Sequence, residues 1–89
     1  MPATTLTIIN KLGLHARAAA KMARLAEDFS SNITIEKNAT CIDAKSIMQV
    51  MMLAANKGSE ITIRAEGKDA ETALAALTEL VNNRFDEEE

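Results

Sequence analysis

The one histidine of the chain, His15, falls where a glycine-bearing loop gives way to a helical pattern, in Gly13-Leu14-His15-Ala16-Arg17-Ala18-Ala19-Ala20. The first turn of a helix carries unpaired backbone N–H groups and a partial positive charge, which together make a ready anion site. Imidazole titrates near neutral pH, so one ring nitrogen can hold a free lone pair. A nucleophile, an anion-binding helix end and a cation two residues on, Arg17, together suit a phosphoryl group held in transit. Taken singly, a histidine is more often a surface or structural residue and an arginine ordinary surface charge. Their conjunction ahead of a good helix carries the reading.

The patterning of the remaining residues supplies the frame for that site. Leu6-Thr7-Ile8-Ile9-Asn10 is rich in β-branched residues and predicts a first strand, broken by Asn10-Lys11-Leu12-Gly13. From Ala16, apolar residues recur at helical steps as Ala19, Met22, Leu25 or Ala26, and Phe29, with Lys21, Arg24, Glu27 and Asp28 left to water. Ser30-Ser31-Asn32 ends that helix. Ile33 to Lys37 alternates, placing Ile33 and Ile35 inward, and Asn38-Ala39 turns it into Thr40-Cys41-Ile42-Asp43. Ser46 and Gln49 have capping-box spacing, with Ser46 bonding the third amide and Gln49 reaching back. The short helix that follows is apolar nearly all round, so it is either deeply buried or partly a contact patch. A mixture is expected, with Val50, Met51 and Leu53 inward and Ile47 and Met48 outward. Gly58 is expected to cap that region. Ile61 to Glu66 alternates as a fourth strand. Gly67-Lys68-Asp69 leads into a last helix capped by Asp69, with Ala73, Leu74, Leu77, Leu80 and Val81 along one side. The order β-α-β-β-α-β-α predicts a two-layer α+β domain, an antiparallel sheet covered on one face by three helices.

A chain of 89 residues that is 47% hydrophobic supports one core and one domain, 1–89, without a disulfide or metal staple. Asp86 to Glu89 forms an acidic tail, expected to be solvated and mobile. A net charge of −3, with two phenylalanines and no Trp or Tyr, argues against a nucleic-acid partner. Cys41 is alone, so it forms no internal disulfide. With no histidine near it in sequence it is no zinc ligand, and a small, partly buried role is expected. No metal or cofactor is implied. Met1 to Asn10 lacks the basic start and apolar run of a leader, and no apolar stretch approaches the ~20 residues needed to cross a bilayer. A cytoplasmic protein without membrane insertion is expected. With no second histidine, no general-base pair and no pocket signature, a self-sufficient enzyme is disfavoured.

At the level of motifs, the chain resembles the histidine-containing phosphocarrier (HPr) family of the bacterial phosphotransferase system. The resemblance rests on the Gly13 to Ala20 signature and on Asp43-Ala44-Lys45-Ser46-Ile47-Met48. Lys57-Gly58 and Ala65-Glu66-Gly67 follow at the family's intervals, and the match runs from about Leu6 to Val81. It implies an open-faced sandwich with sheet order 1-4-2-3. It implies that His15 accepts a phosphoryl group on Nδ1 from enzyme I and passes it to a histidine of an enzyme IIA protein. Such a carrier is a co-substrate rather than an enzyme and is expected to be a monomer serving sugar uptake or regulation. The backbone amides of Ala16 and Arg17 would bind the phosphate, and Arg17 would balance its charge. A partner-binding patch is expected over Ala20, Ile47, Met48 and Met51. Ser46 matches the serine that an HPr kinase/phosphorylase modifies in many of these bacteria, although its cap role alone accounts for a serine there.

Two positions depart from the family pattern. Ala18 stands where proline is usual, giving the first turn more freedom. Ala16 stands where threonine or serine is common, removing one hydroxyl that could bond phosphate. Ala16 and the Phe85-Asp86-Glu87 ending look more like the nitrogen-regulatory branch, or the regulatory carriers of proteobacteria, than like sugar-transport members. A further alternative is an interaction module acting through its apolar patch.

Overall fold

The computed structural model describes residues 2–88, so Met1 and Glu89, the last residue of the acidic tail, lie outside the described residues. Strands β1 (Ala3–Thr7), β2 (Asn32–Lys37), β3 (Thr40–Asp43) and β4 (Glu60–Glu66) form one sheet in the order β1-β4-β2-β3. All neighbouring pairs are antiparallel. Helices α1 (Ala16–Glu27), α2 (Ile47–Met52) and α3 (Ala70–Asn82) complete the open-faced α+β sandwich, and a single tight turn, Arg84–Asp86, follows α3.

Alternation decides which face of the sheet is covered. Ile35 and Ile63 are register partners, as are Leu6 and Ile61, so their side chains share a face. Ile33, Ile35, Ile61, Ile63 and Ala65 are all buried there. Helix α1 lays Ala18, Ala19, Met22 and Ala26 on them, and α3 adds Ala73, Leu74, Leu77 and Val81. Each fully buried Ile or Leu contributes about 1.5–3 kcal/mol, and the small alanine side chains of α1 let it pack against α2 and α3. The opposite face is polar: Thr5 and Thr62 pair across it through their hydroxyls at 3.1 Å, and Arg64 reaches Glu36.

Several expectations are corrected by the structure. The first strand runs Ala3–Thr7 rather than Leu6 to Asn10, because β4 begins at Glu60, opposite Thr7. Beyond it only a turn remains to bond, through Ile8 N–H to the Ser59 carbonyl at 2.9 Å and Gly58 N–H to the Ile8 carbonyl at 2.8 Å. Gly58 therefore shapes that turn and caps no helix. Helix α2 stops at Met52, and Ala54 takes the left-handed conformation, φ 53°, that brings Ala55 back to the core.

Met51 is 41% exposed, since the three-residue step that buries Val50 and Leu53 leaves Met51 on the rim. Cys41 is exposed, because Ile42 on the edge strand β3 pairs with inward Ile35 and its neighbour must point away. Ser46 caps α2 as expected, accepting from Gln49 N–H at 3.2 Å, but the Gln49 side chain accepts from the Asp43 amide. Asp69 sits at the cap position of α3 without capping it, its carboxylate engaged by Ser30 and Ser31.

Candidate functional site

His15 is the cap residue of α1, with an extended backbone (φ −75°, ψ −179°) and its carbonyl accepting from Ala19 N–H at 2.8 Å. No side chain caps this helix start. The first-turn amides of Ala16 and Arg17 thus have no partner within the helix.

The loop before His15 is fixed from two sides. Gly13 adopts φ +67°, and a Cβ there would lie 2.5 Å from the Ala55 carbonyl oxygen and 2.8 Å from Asn56 Cα. Only glycine fits so close a crossing. Leu14 is buried, and its N–H donates to the same Ala55 carbonyl at 2.8 Å. On the other side, fully buried Asn10 donates from Nδ2 to the Gly13 carbonyl at 2.9 Å.

The imidazole of His15 is 27% exposed and opens on a surface depression of about 820 Å³. Lys11, Leu12, Ala16, Arg17 and Lys21 line it from the loop and α1, with Asp86 and Glu87 across from them. The open shape admits a side chain presented by another protein. Ala16 and Arg17 are exposed beside the ring.

Within the acidic tail Asp86 and Glu88 are exposed as expected, but Glu87 folds back onto the site. Phe85 is fully buried in the core. Lys21 Nζ donates to the Phe85 carbonyl at 2.7 Å and approaches Asp86 at 3.7 Å. Arg84, Phe85 and Asp86 all have φ between 54° and 64°, a left-handed turn closed by Glu87 N–H on the Arg84 carbonyl at 2.9 Å. The turn throws Glu87 back over the loop. Its Oε2 lies 2.5 Å from His15 Nε2, and its Oε1 accepts from Asn10 Nδ2 at 3.0 Å. Desolvation pushes the Glu87 carboxyl up, but the hydrogen bonds from Asn10 and His15, with the charges of His15 and Lys21, outweigh it. The net direction is below the usual carboxylate range. Burial of the aromatic anchor Phe85 overrides the solvated reading at Glu87 alone.

Asn10 and Glu87 are the site residues that motif reasoning missed. Glu87 lies 72 residues from His15, so no local spacing could have joined them. The weak clue was Phe85, an apolar side chain in a polar tail.

Ser46 lies at the start of α2, half-buried. The expected patch is exposed at Ile47 and Met48, partly at Met51, and half-buried at Ala20. Met52 at 74% exposure and Leu12 at 62% are further exposed apolar side chains that were not foreseen, Leu12 lining the depression at His15. Among the described residues, no group of three or more His, Cys, Asp or Glu could hold a metal ion, and no helix is long and apolar enough to cross a membrane.

Comparison with known proteins bears on both fold and site. A family model described as "PTS HPr component phosphorylation site" matches residues 3–83. The phosphocarrier protein HPr of Pseudomonas aeruginosa is 54% identical over 90 residues, with all of both chains covered. The phosphocarrier protein NPr of Shewanella violacea is 47% identical, covering 91% of this chain and 89% of that one. A crystal structure of HPr from Thermoanaerobacter tengcongensis superposes with a TM-score of 0.96 at 44% identity, with both chains fully covered.

Proposed function

The chain belongs to the HPr family of phosphotransferase-system phosphocarriers, and from that premise we propose that His15 is the residue that carries the phosphoryl group. The observation behind this reading is the position of the ring: partly exposed at the uncapped start of α1, over an open depression it shares with Arg17. In the proposed cycle, phosphorylated enzyme I presents its phosphohistidine to the depression. The Nδ1 lone pair of His15 attacks phosphorus, the donor's N–P bond breaks, and the electron pair returns to the donor ring. The reverse chemistry, with an enzyme IIA histidine as acceptor, discharges the carrier.

The first-turn amides of Ala16 and Arg17 bind the phosphate oxygens, and Arg17 balances their charge while the group is between nitrogens. A helix start holds an anion by about 0.3–1 kcal/mol, or ~2 if shielded. That modest hold suits a group that must be handed on. The protein acts as a single-domain, monomeric, cytoplasmic co-substrate of its two partners, which dock over Ile47, Met48, Met51 and Ala20. Ser46 is the position at which an HPr kinase/phosphorylase would act. A phosphate there adds about −1.5 to −2 charges at a helix start that tolerates them, beside a patch that does not.

Incubation with enzyme I and phosphoenolpyruvate is expected to yield one acid-labile phosphate per chain, lost in His15→Ala. Labelling that persists in His15→Ala would refute the assignment. A second reading, the nitrogen-regulatory branch, is favoured by the likeness to the Shewanella violacea protein named NPr. Faster charging by a nitrogen-branch enzyme I than by a sugar-branch one would select it. The interaction-module alternative predicts partner regulation unchanged in His15→Ala.

A further inference from the structure

We infer that Glu87 is a positioning residue for transfer at His15, its carboxylate holding the ring in the tautomer that leaves Nδ1 free to attack. The inference rests on His15 being the carrier residue, and deepens that reading. A carboxylate can only accept, so the nitrogen 2.5 Å from Glu87 Oε2, which is Nε2, must carry the proton. A neutral imidazole has one N–H, so the lone pair is on Nδ1. Among the described residues no backbone group bonds either ring nitrogen, so the carboxylate makes the selection.

The carboxylate is itself held. Asn10 Nδ2 donates both to Glu87 Oε1 at 3.0 Å and to the Gly13 carbonyl at 2.9 Å. Flipping the amide would set its oxygen against two acceptors, so its orientation is fixed by the contacts. Asn10 is fully buried, and its Oδ1 finds no partner among the described residues. The amide is kept for its two donors in spite of that unmet acceptor. On the tail side, three successive residues hold a left-handed backbone that L-amino acids seldom adopt. Burial of Phe85 and the Lys21 bond to its carbonyl maintain the turn. Ring, carboxylate and amide thus form a relay in which each member orients the one before it, as in other nucleophile sites.

The same arrangement follows the charge. When the N–P bond forms, His15 keeps its Nε2 proton and the ring passes from neutral to cationic, facing an anion. When the group leaves, the ring returns to neutral. Because the carboxylate faces Nε2, it leaves the Nδ1 edge open to the incoming phosphorus.

The test compares the full-length protein with Glu87→Gln, each carrying ¹⁵N-histidine, at a pH where the ring is neutral. In the parent, Nδ1 should give the signal of an unprotonated nitrogen and Nε2 that of a protonated one. In Glu87→Gln the two signals should move toward each other, and transfer from phosphorylated enzyme I should slow by about tenfold. Glu87→Asp, with its charge kept but one methylene shorter, should recover part of the rate. An unchanged tautomer or an unchanged rate in Glu87→Gln overturns the proposal. If His15 accepts no phosphoryl group in the parent either, the carrier reading fails first, and the ¹⁵N comparison separates that result from a failure of the tautomer assignment.

Discussion

At the scale of single residues, the site is governed by side chains whose position matters more than their type. Gly13 is the clearest case, since it needs a positive φ and a vacant Cβ position at once. Gly13→Ala is expected to cost about 2 kcal/mol or more, read as a lower urea midpoint. Because the loop that displaces also aims His15, phosphoryl transfer should slow in the same variant. His15 and Arg17 were legible as a chemical pair because they are near neighbours on one helix start. Asn10 and Glu87 were not legible, because each becomes functional only through a contact across most of the chain. An asparagine after a strand reads as a breaker, and a glutamate in an acidic run reads as solubility.

At the scale of elements, periodicity was a good guide wherever one face is buried. The isoleucine alternation of β2 and β4 and the alanine-methionine stripe of α1 fall where their spacing put them. Ends were harder, because they depend on partners: β1 stops where β4 starts, and α2 ends early to return Ala55 to the loop at Gly13. The start of α3 shows the same dependence. Its cap residue Asp69 joins the end of α1 to α3 instead, through the Ser30 and Ser31 amides and the Ser31 hydroxyl. The Ser31 hydroxyl and those amides, against some desolvation, lower its carboxyl from 3.8 to about 2. A carboxyl depressed on folding stabilises fully above its unfolded value and loses that effect as pH falls toward its folded one. Glu87 is shifted in the same direction. The urea midpoint should therefore drop between about pH 4 and pH 2, and Asp69→Asn should flatten that drop.

At the scale of the whole molecule, the division of labour is between a polar sheet face, a packed interior and an apolar fringe around the site. Met48 is 70% exposed, so Met48→Asp should leave the unfolding free energy within about 0.5 kcal/mol. Its effect should fall on encounter, as slower charging by enzyme I in stopped-flow or label-transfer assays. If charging is unaffected, that edge of α2 is not where the donor lands. The joining of the Arg84–Asp86 turn to the His15 loop has a further consequence. Coupling between two sites is reciprocal in free energy. Whatever steadies the imidazole must steady Glu87 by the same free energy, so loosening the Arg84–Asp86 turn should register at the ring although no residue of the turn bonds it directly.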